Sequence, residues 1–504
     1  MMGMTREELN RAIAMWGIAM CLLSAASGWV FLRFGQAWSI ADLPVSGYVN
    51  QIIPAYVVTE VAMIPIGGKI IDSYGCRRIL AFAPLTYIIA SMLCMITPTV
   101  EWLIVFRFFQ GLGAGLILAL AFTSVGKYYD TDKRGKCNEL MTGAFAIGSL
   151  FSSAAGYFLT DTFNWRFGFI LFSLLMFVGF LIAWRFLPET EHSGKRINIG
   201  STLLVAFVFG LATLYTQLVN VNFELISLPS ILTLLFIILL ALVMLIQMHR
   251  SPNSVLPYNN TAFEILLILL MFMFSLCGLG LIQYFFKLYL TYFEFDIYKA
   301  TSMFLFMLAG AGMTSIVGGR FVYKTGVRPW VMVGSVIVTI GLLFTHFFAD
   351  KSVTMFGVSL FIFGMGLGCI VTEILCSMQT IVDKKDMGQH TGNLMAVRMV
   401  GILAGNAFIG AYINNVIRVN RKEEILDLSA STNIFTDIGE MISSGLEYVA
   451  NSMDDGFLMT ALIMAFITGV LALISYNLGT DDLTILKGLN EESADEKVYD
   501  ETDE

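Results

Sequence analysis

Residues 226–247 read ISLPSILTLLFIILLALVMLIQ, with no charged side chain among them. A helix of about 20 apolar residues crosses ~30 Å of hydrocarbon, and a backbone in lipid must satisfy its own hydrogen bonds. Such a stretch is therefore expected to be a transmembrane helix. Comparable windows lie near 12–32, 48–71, 79–97, 102–126, 139–160, 167–187, 199–218, 264–288, 300–320, 329–348, 353–380, 391–414 and 456–477, which makes fourteen. Only 13% of the 504 residues are charged, about half the roughly 25% that a water-facing surface uses. The expectation is an all-α, multi-pass membrane protein whose outer surface meets the lipid bilayer.

Orientation follows from the cations. With the N-terminus inside, 20 of the 30 Lys and Arg fall on the cytoplasmic side and eight on the outer side. Both termini are then cytoplasmic, and the chain sits in the cell membrane. Residues 415–455 form a long external loop with eight acids and three bases, and Asp481 to Glu504 is an acidic cytoplasmic tail with ten Asp/Glu. That tail is expected to be a disordered, solvated segment, the alternative being a docking tail; because the acid is concentrated there, the net charge says little about nucleic acid, and no nucleic-acid partner is expected. The seven cysteines include no CxxC pair and no Cys/His cluster, so neither a disulfide framework nor a metal site is expected. No A-x-A-like cleavage site follows the first apolar run, so that run is expected to be retained.

The chain repeats itself. GGKIIDSYGCRR at Gly67 has an echo in GGRFVYKTGVRP at Gly318, offset 251; GLGAG at Gly111 matches GMGLG at Gly364, offset 253; Gly135 and Gly148 match Gly388 and Gly401, also offset 253. Three matches in order at nearly one offset define two similar halves of six spans. The expected domains are a six-helix bundle over 1–190, two inserted helices over 191–255, a second bundle over 256–480 carrying the 415–455 loop, and the tail 481–504. Two repeated bundles around one axis are a recurring plan of secondary transporters, with the substrate site between them.

GKIIDSYGCRR resembles the loop 2–3 signature of the major facilitator superfamily, and RFFQGLGAG (Arg107–Gly115) resembles its fourth-helix motif. The two inserted spans make the chain most similar to the fourteen-helix drug:proton antiporter subfamily. AYVVTEVAMIPIGGK, NWRFGFIL and GNLMAVRMVGILAGNAFIG resemble that subfamily's second, sixth and thirteenth helices. The resemblance implies that Asp72 faces the N-terminus of span 13, near Gly388. Gly68 and Gly75 would permit the close approach and the sharp turn. Arg77 and Arg78 are the cations expected to keep Asp72 ionised, and the whole turn would be a latch between the halves. The alternative is plain anchoring by Lys69, Arg77 and Arg78. Tyr323 replaces the Asp in the second copy, so an equivalent latch is not expected there.

Ionisable residues inside spans cost at least ~2.5–3.5 kcal/mol each and need a reason. Glu60 and Arg398 fall near the midplane, Arg107 in the outer third of span 4, and Glu373 in the inner half of span 12. A carboxylate that meets apolar and hydrated surroundings in turn can bind and release a proton. Glu60 is either such a group or one member of a permanent ion pair; Glu373 either couples or reaches water. Arg107 matches the superfamily's fourth-helix arginine, implicated in proton transfer, unless it snorkels. Tyr56, Gln110, Gln283, Tyr284, Asn393 and Asn406 are the polar groups expected along the substrate path.

Two departures bear on direction. The fifth helix, GSLFSSAAGYF, lacks the Gly-Pro pair of the antiporter signature, and the first, MCLLSAASGWVFL, has no acid. The leading expectation is proton-coupled export of a small hydrophobic or amphipathic molecule by alternating access. Proton-coupled import of a small organic acid or other metabolite is the rival, and a transport-inactive receptor of this fold is a third class. No nucleophile with a base, no metal cluster and no P-loop lysine is present, so no catalytic residue, metal or cofactor is expected. The proton gradient would supply the energy, and the protein is expected to be monomeric.

Overall fold

The computed structural model describes residues 5–44, 48–162, 164–190, 194, 197–219, 227–250, 297–348, 353–405 and 407, together with 265, 267–269, 271, 272 and 275. The elements are α1 (Arg6–Asp42), a 3₁₀ turn (Val49–Gln51), α2 (Ile52–Tyr74), α3 (Cys76–Met95), α4 (Val100–Tyr128), α5 (Thr131–Thr162), α6 (Arg166–Phe186), α7 (Ile199–Leu218) and α8 (Leu228–Arg250). The helical residues at 265, 267–269, 271, 272 and 275 are α9. They are followed by α10 (Ile297–Thr325), α11 (Arg328–Phe348), α12 (Val353–Ile381) and α13 (387–405). Ten of the described helices are long and apolar enough to cross a membrane. The expected fourteenth span, the 415–455 loop, the acidic tail, and Gln283, Tyr284 and Asn406 lie outside the described residues.

Several helices run past their apolar windows. α5 starts at Thr131 instead of 139, and α1 runs from Arg6 to Asp42. Polar residues continue a helix wherever the backbone ladder is already nucleated and the ends are capped. At α1 the cap is reciprocal: Glu8 N donates to Thr5 Oγ1 at 3.3 Å, and Thr5 N donates to Glu8 Oε2 at 3.0 Å. Between α2 and α3 a single residue makes the turn. Gly75 has φ +89°, a conformation that costs glycine nothing and any L side chain strain.

The repeat is visible in how helices touch. Gly111 and Gly115 of α4 lie against the carbonyls of Tyr56 and Glu60 on α2, and Gly364 and Gly368 of α12 lie against those of Met307 and Ala311 on α10. Gly113 meets Ala83 and Tyr87 of α3; Gly366 meets Gly334 and Val338 of α11. Every residue in the second set stands 251 or 253 positions after its partner in the first. A Cβ at any of these sites would overlap a neighbour, so the glycine pattern fixes both helix triplets at van der Waals distance through dispersion and close backbone approach. The inserted α7 rests on α2, where Gly210 faces Val58 and Ala62. α8 exposes most of its apolar residues, from Leu228 to Ile246. That surface suits lipid, where an outward leucine costs nothing.

Candidate functional site

The first half buries a polar cluster between α1, α2, α3 and α4. Arg107 is fully buried; its Nη1 donates to Gln110 Oε1 and its Nη2 to the Gly28 carbonyl, both at 2.7 Å. Its guanidinium lies 4.3 Å from the centroid of the Tyr56 ring. Gln110 Nε2 donates to Ser91 Oγ at 2.6 Å, Tyr56 OH to the Ala25 carbonyl at 2.6 Å and Tyr87 OH to the Ser24 carbonyl at 2.8 Å. Two charge-assisted bonds at ~1.5–3 kcal/mol each, with a desolvated cation–π contact near ~2 kcal/mol, exceed the ~2.5–3.5 kcal/mol insertion cost. Arg107 is therefore tied into the bundle and does not snorkel.

Glu60 belongs to the same cluster, within electrostatic reach of Arg107, Tyr56 and Tyr87. It is fully buried, makes no ion pair among the described residues, and neither of its oxygens has a hydrogen-bond partner among them. A permanent ion pair is thus not what the structure shows. Tyr56 and Gln110 also differ from expectation: instead of lining an open path, both are buried with their polar atoms bonded inside the first half. Asn393 is buried on α13, and neither atom of its amide has a partner among the described residues. Arg398, also on α13, is 8% exposed and makes no described contact with Glu60. Glu373 is fully buried on α12 and so does not reach water here.

The repeat partners of the cluster are apolar. At offsets of 251 and 253, Tyr56, Glu60, Tyr87, Ser91, Arg107 and Gln110 correspond to Met307, Ala311, Val338, Leu342, Leu360 and Phe363. The same glycine frame therefore holds a charged cluster in one half and hydrocarbon in the other.

The two halves meet at the end that carries the α2–α3 turn. Asp72 Oδ1 accepts from Gly388 N at 2.9 Å and Oδ2 from Gln389 N at 2.6 Å, at the exposed donors of the α13 N-terminus. The cation beside Asp72 is Lys127 of α4, 2.8 Å away. Arg77 and Arg78, expected in that role, lie over the rings of Trp184 and Tyr74. Their side chains flank the turn, whereas Lys127 reaches Asp72 from the end of the neighbouring helix. Lys69 is buried too and donates to Gln389 Oε1 at 2.8 Å, so it does more than anchor the loop. Gly68 and Gly388 touch backbone to backbone, and a Cβ on either would overlap the other's carbonyl.

A second contact lies across the pseudo-twofold. Gly135 of α5 touches Gly319 of α10 backbone to backbone; these are the repeat partners of Gly388 and Gly68. Here the charged group is a cation. Arg134 donates to the Gln379 carbonyl near the C-terminus of α12, to the Gly126 carbonyl at 3.1 Å and to the Tyr129 carbonyl at 3.0 Å. Asn138 Nδ2 donates to Gln379 Oε1 at 2.8 Å, and Gln379 Nε2 donates to the Phe122 carbonyl at 3.0 Å. Sequence reasoning did not single out Lys127, Arg134, Asn138 or Gln379, the two cations being counted only among the positive charges of the cytoplasmic side. The signal available was the offset of 253 that pairs Gly126 with Gln379 and Arg134 with Met387, the residue packed on Gly126.

The family model of the Major Facilitator Superfamily matches residues 41–406. The chain belongs to this superfamily. It is a transporter of that family, multi-pass and not an enzyme. Among its relatives, the multidrug transporter protein MdtP of Bacillus subtilis (strain 168) is 23% identical over 436 residues, 82% of this chain and 77% of the relative. Multidrug resistance protein 3 of the same organism is 24% identical, with 86% of each chain covered. The riboflavin transporter RibZ of Clostridioides difficile (strain 630) is 23% identical over 76% of this chain and 84% of its own. The solved structure of the human organic anion transporter MFSD10 superposes with TM-score 0.58 at 13% identity, covering 92% of this chain and 100% of that one. This likeness supports the two-bundle fold.

Proposed function

We propose that this superfamily member is a proton-coupled exporter of small hydrophobic or amphipathic organic molecules, working by alternating access in the cell membrane with both termini cytoplasmic. One observation carries the coupling: Glu60 is buried beside Arg107 in the half whose counterpart is apolar at every matching position. A carboxylate there alternates between a dry site and a wet one as the bundle opens, and so binds and releases a proton. Arg107 tunes that exchange, with Glu373 and Arg398 as further candidates. The multidrug names of the Bacillus relatives support the direction and the substrate class. Energy comes from the proton gradient without a cofactor, and one chain is the transporting unit.

In this reading the end bearing the α2–α3 turn is cytoplasmic, and Gly68, Asp72 and Gly75 form the latch that holds it shut. Arg77 and Arg78 then serve the interface with lipid and aromatic side chains. Asn393, with the positions at Gln283, Tyr284 and Asn406, remains the candidate for substrate contact, while Tyr56 and Gln110 act through the Arg107 cluster.

Proton-coupled import of a metabolite is the second reading. It is favoured by the missing Gly-Pro pair in α5, by the absence of an acid from the Met20–Leu32 stretch of α1 and by the riboflavin transporter among the relatives. Flux in proteoliposomes under an imposed pH gradient separates the two by sign, and an absence of any flux would point to a receptor. In Glu60→Gln, gradient-driven uphill transport collapses while substrate exchange at equal pH persists. Uphill transport retained in that variant would remove Glu60 from the mechanism.

A further inference from the structure

The chain that leaves α6 is bonded to both helix ends that carry the charges of the α2–α3 turn. Leu187, the first residue after α6, is buried in the hydrophobic core. Tyr128 OH, one residue past Lys127 on α4, donates to the Pro188 carbonyl at 2.6 Å. Cys76 N, the first amide of α3, donates to Thr190 Oγ1 at 3.1 Å. Gly194, with φ +63°, donates its N–H to the carbonyl of Ser73, the neighbour of Asp72, at 3.2 Å.

The second half makes the same turn by other means. Gly326, the repeat partner of Gly75, has φ +75°, and its N donates to the Val322 carbonyl at 2.8 Å, as Gly75 N does to the Ile71 carbonyl at 2.8 Å. There Trp330 Nε1 donates to Thr325 Oγ1 at 2.8 Å, so side chains five positions apart brace the turn from its own flanks. The matching residues of the first half are Ile79 and Tyr74, and isoleucine has no donor to give. The first turn takes its brace from Thr190 instead, 114 positions away from Cys76. The opening amides of a helix lack intrahelical partners, and a threonine oxygen is a favoured acceptor for them.

We propose that Leu187–Thr190 and Gly194 form a strap over this turn, with Thr190 and Tyr128 as positioning residues that hold Asp72 and Lys127 in place for the α13 amides. Every strap contact lies within the first half, so the strap is kept in the open and the closed form alike. It acts by preorganisation: the end of α2 is ordered before Gly388 and Gln389 arrive, and closure has less chain to order. The proposal deepens the latch reading of Asp72 above and rests on that reading for its effect on closure.

Two measurements on the full chain separate the strap from the latch. Hydrogen exchange at the Cys76 amide reads the strap itself. It should quicken about two- to tenfold in Thr190→Val, the worth of one hydrogen bond, and return to the parent rate in Thr190→Ser, which keeps the oxygen. Pulsed electron resonance between labels on Lys136 and Lys384 reads closure. The closed-to-open ratio should fall about two- to fivefold in Thr190→Val and in Tyr128→Phe, and recover in Thr190→Ser. Added to Asp72→Asn, Thr190→Val should change the ratio no further, because the carboxylate that it positions is gone. An undiminished effect on that background means general loosening and overturns the proposal, as does unchanged exchange at Cys76. A ratio that Asp72→Asn lowers and Thr190→Val does not overturns it too. If Asp72→Asn itself leaves the ratio unmoved, the latch reading falls, and the strap's hold on the turn is still decided by the Cys76 exchange.

Discussion

The two halves share a glycine frame and differ in what it encloses. Gly111, Gly113 and Gly115 bring α4 onto α2 and α3 around a guanidinium, a carboxylate, two tyrosines, a glutamine and a serine; Gly364, Gly366 and Gly368 bring α12 onto α10 and α11 around hydrocarbon. The second half serves as an internal control, because it shows that the fold needs none of the six polar groups. Stability does not explain their burial, since well-packed apolar residues fill the same positions at no desolvation cost. The same division appears where the halves meet. One contact sets an anion on helix amides and the other sets a cation on helix carbonyls, and each agrees in sign with the helix end it faces.

The two contacts are expected to fail unequally. The largest effect is expected from Asp72→Asn, which takes the charge out of the two amide contacts that only the closed form makes, worth about 1.5–3 kcal/mol each. The closed form should drop about a hundredfold relative to the open one, read by pulsed electron resonance between labels on Lys136 of α5 and Lys384 after α12, both exposed and on opposite halves. Removing both charges in Asp72→Asn/Lys127→Met should leave that drop in place, and a recovery would mean that the stranded Lys127 charge, not the amide contacts, drives it.

Next come Gly68→Ala and Gly319→Ala. Each drives a methyl into a facing backbone, at about 1–3 kcal/mol of overpacking. The two should match within a factor of a few in the same measurement, since this part of the contact is symmetric. A large disparity would show that one contact has slack the other lacks.

Arg134→Met removes one charge-assisted bond across the halves, to the Gln379 carbonyl, so about 1.5–3 kcal/mol is expected, less than for Asp72→Asn. The smallest effect belongs to Tyr323→Phe, at the repeat position of Asp72, within about 0.5 kcal/mol. A strong phenotype there would show that the second contact has a polar anchor of its own at that position.

What the sequence revealed and what it hid divide along one physical line. Apolar windows fix the spans because lipid thickness is a local demand on about 20 consecutive residues. The glycine offsets expose the repeat because close backbone approach tolerates no substitute. The pairing of Asp72 with the α13 N-terminus was legible through a motif. Lys127 was not: it lies 55 positions from Asp72 and reads locally as an ordinary positive residue at a helix end. Arg134 was hidden for the same reason, since its acceptors are carbonyls near residues 126, 129 and 379, and carbonyls leave no mark in a sequence.

Asp72 and Lys127 sit on α2 and α4, within one half. When the halves part, the two charges travel together, and no ion pair has to be pulled through a dry interface. The aspartate exchanges two amide donors for water, and Lys69 gives up Gln389. Rearranging packed helix bundles takes microseconds to milliseconds, with no separate dissociation of a buried salt bridge added to the barrier. In kinetic terms the seal is strong while shut and quick to break, so the pace of the cycle can be set by the movement of the bundles or by the release of cargo.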